Sequence, residues 1–230
     1  MKNSSEHLRN RALDTRISAY YDQNYWIWQK SIGAIGGWAN RHKFQSSVSP
    51  NDLVIDFGCG GGYLLANLEC GTRIGIEPNE SARAQLFEFG ITHFRTTDEA
   101  MNRLGTGIAD VVISNHALEH VLNPLHELRH LWLLLKPGGK ILFYVPCDSF
   151  RRRYRETDSN RHLFSWSPSN LGNLFAEAGF RVDVARPYLY KWPPGYQSLA
   201  RLGRPIFHLA CHLWGRLERS WVQVEILATK

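Results

Sequence analysis

The 230-residue chain is 43% hydrophobic and 21% charged, an ordinary balance for a globular protein of one domain, long enough to bury a core without staples. Its four cysteines, Cys59, Cys70, Cys147 and Cys211, show no C-x-x-C spacing, which argues against a zinc site or a disulfide framework and suits a reducing cytoplasm. The N-terminal residues lack an apolar run and no stretch reaches the roughly 18 apolar residues of a spanning helix, so neither a signal peptide nor a membrane span is expected. The formal charge of +6 suits an anionic partner.

In chain order, an aromatic segment, Tyr20 to Trp26, precedes the first regular pattern. Leu53 to Phe57 (LVIDF) is a short apolar run that stops at glycine, as a strand buried on both faces does. Tyr63 to Glu69 reads as helix, Arg73 to Ile76 as strand, Ser81 to Phe89 as helix closed by Gly90, and Ile91 to Phe94 as strand. Asp98 is a candidate N-cap before Glu99-Ala100-Met101. Asp110 to Ser114 (DVVIS) predicts a strand, and Pro124 to Leu135 a helix ended by Lys136-Pro-Gly-Gly139. Lys140 to Pro146 predicts a further strand, followed by an arginine-rich loop. A helix from Pro168 to Ala178 has Ser167 as N-cap and Gly179 as terminator. Phe180 to Val184 and Val222 to Leu227 complete the strands. The alternation implies an α/β fold, with a mostly parallel sheet covered by helices on both faces.

The segment between the last two strands, Tyr196 to Trp221, reads as a helix bent at Pro205. Arg201, Arg204, His208, His212, Arg216 and Arg219 recur on one face, and Leu202, Ile206, Leu209, Leu213, Trp214 and Leu217 on the other. Such a basic amphipathic helix can lie in a membrane interface, cap the domain or bury a dimer contact.

Chemistry concentrates at Val54 to Tyr63. Gly58, Gly60 and Gly62 lie between strand and helix, where glycine permits a tight turn and close approach of a ligand. Tyr63 stands where a dinucleotide-binding G-x-G-x-x-G turn has its last glycine. Asp56, just before the turn, repels a pyrophosphate and favours an ammonium group. Glu77 ends the second strand, placed to accept hydrogen bonds from ribose hydroxyls. A ligand with a cationic amino-acid end and a ribose, but no phosphate, matches this pattern.

VIDFGCGGGYL resembles motif I of class I S-adenosylmethionine-dependent methyltransferases, and GIEPNESA resembles their ribose-binding acidic loop. DVVISNHALEHV and LKPGGKILFYVP are similar to segments around the fourth and fifth strands of the small-molecule branch. HLFSWSPSNLGNLFAEAGF is similar to the segment after the fifth strand in its sugar, lipid and quinone enzymes. The resemblance covers about Pro50 to Val184. It implies a doubly wound seven-stranded sheet of order 3-2-1-4-5-7-6 with helical lid insertions. The organisation that follows is one methyltransferase domain: an N-terminal helical lid (1–47), a cofactor-binding core (48–186), a helical insertion over the active-site edge (187–220) and a final strand (221–230).

It also implies S-adenosylmethionine as cofactor, with Asp56, Gly58, Gly60 and Gly62 cradling the methionine part, Glu77 on the ribose, Asn115 lining the site and Asp98 on the adenine side. The expected reaction is O-methylation of a small molecule, or of a sugar- or lipid-linked precursor with anionic groups; N- or C-methylation and a non-catalytic cofactor-binding module are the alternatives. Tyr63, Asp56 and the closing antiparallel strand speak against a nicotinamide oxidoreductase.

Methyl transfer to a hydroxyl needs a base, and histidine suits the task. His120 is the first candidate, with His116 and His162. In similar ubiquinone-pathway enzymes the ALEHV-type segment is linked to a divalent metal; here Glu119 and His120 offer no third ligand in sequence, and no metal is expected. Arg151, Arg152 and Arg153 are placed to bind anionic substrate groups, and Tyr21 and Tyr25 to close the remaining side. Nucleic acid is not an expected partner, since no Asn-Pro-Pro-aromatic tetrad occurs. The expected location is cytoplasmic, with peripheral membrane contact through 196–221.

Overall fold

A computed structural model describes residues 23–149, 153–156 and 161–230, the side chains of 23–29, 31 and 221 excepted. Seven strands form one sheet: β1 (Leu53–Phe57), β2 (Thr72–Ile76), β3 (Thr92–Phe94), β4 (Ala109–Asn115), β5 (Leu135–Asp148), β6 (Arg181–Tyr188) and β7 (Trp221–Thr229). Their order is β3-β2-β1-β4-β5-β7-β6, as the resemblance implies. Neighbours from β3 to β5 pair in parallel, and β7 runs antiparallel to both β5 and β6.

Eight α-helices are described: α1 (Gln23–Phe44), α2 (Tyr63–Ala66), α3 (Arg83–Glu88), α4 (Thr97–Leu104), α5 (Pro124–Leu134), α6 (Pro168–Glu177), α7 (Tyr196–Ala200) and α8 (Arg204–Leu217). Strand side chains alternate between faces. Ile55, Phe57, Val112 and Phe143 pack with α4, α5 and α6, while Val54, Val111, Ile113, Leu142 and Tyr144 pack with α2, α3 and the end of α1. By the same alternation Asp56 and Tyr144 belong to the α1 face, and this brings the site's acid and its aromatic wall to one side of the sheet.

Several local expectations need correction. Thr96, not Asp98, caps α4: its side chain accepts from the Glu99 N–H, and the helix starts at Thr97. The helix after the glycine turn closes at Ala66 rather than Glu69, and a 3-10 turn occupies Glu80–Ala82 before α3. β5 begins at Leu135: Lys136 to Gly139 form an irregularity inside the strand, between the pairs Ala109–Leu135 and Val111–Lys140. β6 continues to Tyr188, past residue 186, because its pairing with β7 extends to Tyr188 opposite Gln223. Ser167 does cap α6, in a reciprocal box with Asn170.

The segment read as one helix bent at Pro205 is two helices, α7 and α8. The break is at Gly203, whose φ of +92° lies in a region open to glycine; Pro205 sits inside the first turn of α8, where its missing N–H costs nothing. The orientation of α8 also differs from the two-face reading. Phe207, Cys211 and Gly215 form its buried edge, and the His208 and His212 rings lie among those of His42 and Tyr190. Ile206, Leu209, Leu213 and Leu217 face outward, with Leu209 62% and Leu217 79% exposed.

Candidate active site

A cavity of about 520 Å³ opens beyond the carboxyl ends of β1 and β4, where open α/β sheets bind ligands. Asp56, Gly58, Asn115, His116, Tyr190 and Gln223 are among its walls, and α1 closes one side. Tyr190 to Trp192 follow β6, so the region after that strand lies over the site as the topology requires.

The glycine turn is held from below by β2. Gly58 and Cys59 donate to the Ile76 carbonyl at 2.8 and 3.3 Å, and Gly62 donates to Cys59 at 2.9 Å. Gly58, Gly60 and Gly62 all have positive φ. Packing is a second reason for glycine at two of them: a Cβ on Gly58 would meet that of Ala117 at 2.2 Å, and one on Gly62 would meet Ile91 and Leu86 at 2.5 and 2.6 Å. The loop is therefore pressed against its own scaffold as well as shaped for a ligand.

Both acids of the pattern are buried. Glu77 accepts from the Gly60 N–H through Oε2 and from the Asn79 N–H through Oε1, each at 2.9 Å, tying the turn to the loop after β2. Asp56 is 2% exposed, and no donor among the described residues reaches its carboxylate. Burial, with the Glu77 charge second, pushes its pKa up to about 8, and burial also raises Glu77. Two acids that resist ionisation side by side form a site short of a cation. An α-ammonium group would supply one at Asp56, and each Glu77 oxygen retains acceptor capacity for a hydroxyl. The residues therefore fit the amino-acid and ribose ends of S-adenosylmethionine.

Asn115 ends β4 on the cavity wall. His116 follows with φ of +61°, a conformation rare for a residue with a β-carbon, and its N–H donates to the Tyr144 carbonyl at 2.8 Å. Of the three candidate histidines only His116 is among the cavity walls. His120 and His162 stand together nearby, ring centroids 5.1 Å apart, and burial lowers the pKa of His120. His162 Nδ1 lies 2.7 Å from Asp148 Oδ2, a contact that orients its ring. The third ligand that the sequence spacing did not offer is thus His162: Glu119, His120 and His162 present ligand atoms within 4.8 Å of one another, and the fully buried Glu119 carboxylate has no hydrogen-bond donor among the described residues. That geometry can hold a cation.

Asp98 lies on α4, exposed, with His130 Nδ1 at 3.1 Å and His126 Nε2 at 3.8 Å, and is not a wall of the cavity. Arg153 is exposed; Arg151, Arg152 and Tyr21 lie outside the described residues, as does the side chain of Tyr25.

The sequence reading missed Lys43, Gln223 and the glycines of α1. A Cβ on Gly33 would meet the Tyr63 ring at 2.2 Å, and one on Gly37 would meet the Tyr63 carbonyl oxygen at 2.3 Å, so α1 seats directly on the start of α2. Gly33, Gly36 and Gly37 recur at helical spacing, a local signal that could have singled out this face of the expected N-terminal helix.

A family model described as a methyltransferase domain matches residues 24–184. A ubiquinone biosynthesis O-methyltransferase from Vibrio parahaemolyticus is 38% identical over 98 residues, 39% of this chain and 42% of that protein. One from Pectobacterium atrosepticum is 36% identical over 98 residues, 39% of this chain and 41% of that protein. The match spans about two-fifths of the length of these curated relatives. Among solved structures, a SAM-dependent methyltransferase from Archaeoglobus fulgidus superposes with TM-score 0.62 at 18% identity, covering 91% of this chain and all of that one. A possible histamine N-methyltransferase from Thermotoga maritima gives 0.62 at 17%, covering 90% and 95%. At such identity these structures share the fold.

Proposed function

The chain belongs to the methyltransferase domain family, and we propose that it is an S-adenosylmethionine-dependent enzyme that methylates an oxygen of a small molecule. The observation that carries this reading is Asp56, a buried acid on the cavity wall without a donor among the described residues, joined by the glycine turn to a second buried acid, Glu77. Asp56 would take the ammonium group, Glu77 the ribose hydroxyls, and Asn115 the region where methyl and acceptor meet. When bound, the cofactor supplies an electrophilic methyl group on a sulfonium. The protein's part is alignment and the exclusion of water, which suits a cavity walled by packed helices and strand ends. His116 borders the cavity; His120 and His162 stand behind it as proton-handling groups.

The acceptor is proposed to carry an anionic or phosphorylated group, as a sugar- or lipid-linked precursor does, held by Arg153 and its arginine neighbours. A second observation favours peripheral attachment to a membrane from the cytoplasmic side. Ile206, Leu209, Leu213 and Leu217 form an outward apolar stripe on α8, with Arg201, Arg216 and Arg219 exposed around it. No described helix is long and apolar enough to cross a membrane, so contact would be interfacial.

Calorimetry with S-adenosylhomocysteine tests the central reading. Uptake by the purified protein that is weakened in Asp56→Asn is expected, and absence of uptake by folded wild-type protein would overturn it.

A further inference from the structure

Lys43, in the last turn of α1, is 5% exposed and lies on the cavity wall beside Asn115 and His116. Its ammonium group has no ion-pair partner among the described residues. Nζ donates instead to two neutral oxygens, Gln223 Oε1 at 2.7 Å and Asn115 Oδ1 at 3.1 Å. The Gln223 amide is fixed in this orientation by its own bond, Nε2 to the Tyr190 carbonyl at 2.7 Å. The rings of Tyr144, Tyr190 and Tyr188 surround the nitrogen, their centroids 4.9, 5.4 and 5.7 Å away.

The nearby acid on β7, Glu225, is engaged elsewhere: it accepts from the Tyr144 hydroxyl at 2.7 Å and from Arg186 at 2.6 Å. A lysine buried without a counter-ion carries a desolvation cost that a methionine of similar shape would avoid. Burial draws its pKa down to about 7, against smaller upward effects of Cys211 on α8 and Glu225 on β7. His42 on the same helix and His208 on α8 complete the titratable groups around it, and burial lowers both. A sulfonium in the same cavity would disfavour the ammonium form further, since like charges repel.

We infer that Lys43 is the proton acceptor for the methyl-accepting group, and that this group is an acidic hydroxyl, a phenol or enol. The inference rests on the methyl-transfer reading and names its acceptor class. The hydroxyl proton moves to the neutral Nζ. An oxygen lone pair forms the new O–CH3 bond as the S–CH3 bond breaks, its electron pair staying on sulfur to give the neutral thioether. Lys43 then returns the proton to solvent. Asn115 and Gln223 hold Nζ in place, accepting from it in either protonation state. A phenol, ionising near pH ~10, is within reach of such an amine, whereas an alkyl alcohol, a far weaker acid closer to water, is not.

The test uses 4-nitrophenol, whose ionised form absorbs visible light, added to protein saturated with S-adenosylhomocysteine and buffered below the pH at which the free probe ionises. Wild-type protein should develop the phenolate band, and Lys43→Met should bind phenolate about tenfold more weakly or not at all. Calorimetry with S-adenosylhomocysteine should give the same affinity for both proteins, which also establishes that the variant is folded. If wild-type protein takes up S-adenosylhomocysteine but produces no phenolate band, or if Lys43→Met keeps the band while His116→Ala loses it, the assignment of Lys43 is overturned and the methyl-transfer reading stands. If wild-type protein takes up no S-adenosylhomocysteine, the underlying reading has failed instead.

Discussion

One wall of the cavity, the glycine turn with its two acids, comes from residues 54–79; the opposite wall comes from α1, the region after β6 and β7. In the first, the key contact, Gly60 N–H to Glu77, joins residues 17 apart in sequence. In the second, Lys43 meets Gln223 across 180 residues and His42 meets Tyr188 across 146. The first wall is nearly a local property of one β-α-β unit, so its chemistry can be fixed once and kept. The second exists only after the whole sheet has closed, and each of its parts can vary separately. A cavity built this way keeps one invariant ligand on the local wall and leaves the choice of the other to the long-range wall.

The sharpest way to break this comparison is to place one methyl group in each wall. Gly58→Ala must hold φ near +73° and drive its Cβ into Ala117 at 2.2 Å. The expected cost is roughly 2–5 kcal/mol, with S-adenosylhomocysteine uptake abolished. Gly37→Ala has no backbone strain and favours a free helix, yet its Cβ would lie 2.3 Å from the Tyr63 carbonyl oxygen, so α1 must shift. Thermal midpoints and calorimetry should show a smaller loss of cofactor affinity than in Gly58→Ala, with stability reduced despite the gain in helix propensity. Equal loss of uptake in both variants would mean that the two walls are not separable.

The same contrast in sequence distance explains what could be read from the chain. Strand order came with the family resemblance, whereas the cluster Asp56, Gly58, Gly60, Gly62 and Glu77 was legible in contiguous residues, because a buried strand, a glycine turn and an acid on the next strand constrain one another locally. Lys43 carried no such signal: a lysine near the end of a helix, in sequence, is a solvated C-terminal charge. Its burial depends on Tyr144 and Tyr188, contributed by strands far along the chain, and on Tyr190 just after β6. The third ligand beside Glu119 and His120 was hidden for the same reason, since His162 arrives after β5. On α8 the periodicity was legible, but which face turns inward was not, because the choice rests on the His42 and Tyr190 rings that receive His208 and His212.

Asp56→Asn sharpens the comparison from the local wall. In the ligand-free protein the raised Asp56 pKa means that this carboxyl's contribution to stability is fully present below pH ~4, the ordinary aspartate value, and is lost as pH rises through about 8. Asparagine at 56 should flatten that slope in thermal midpoints measured across this window. An ammonium ligand favours the ionised acid, so wild-type affinity for S-adenosylhomocysteine should rise with pH toward 8, with proton release detectable by calorimetry in buffers of differing ionisation heat. The variant should bind more weakly by about 2 kcal/mol or more, roughly thirtyfold, and lose the pH dependence. A lower affinity with an unchanged pH profile would assign the ammonium to another group.

The smallest expected change in the folded protein, and the most informative about the distant wall, comes from α8. Leu209 and Leu213, 62% and 53% exposed, contribute little to the core, so Leu209→Glu with Leu213→Glu should leave the thermal midpoint and cofactor uptake where they were. Their effect should fall on co-sedimentation with vesicles containing anionic phospholipid at low salt, where wild-type protein binds and the double variant stays in the supernatant. The opposite edge of the same helix, Phe207 and Cys211, packs with Tyr190 and Ala39 against α1, which carries Lys43. A lipid surface gripping the leucines would therefore sit one helix thickness from the acceptor wall, close enough to present a membrane-borne acceptor to it. Wild-type protein that stays with the supernatant at low salt would remove the lipid surface from this account and leave α8 as a plain cover over the acceptor wall.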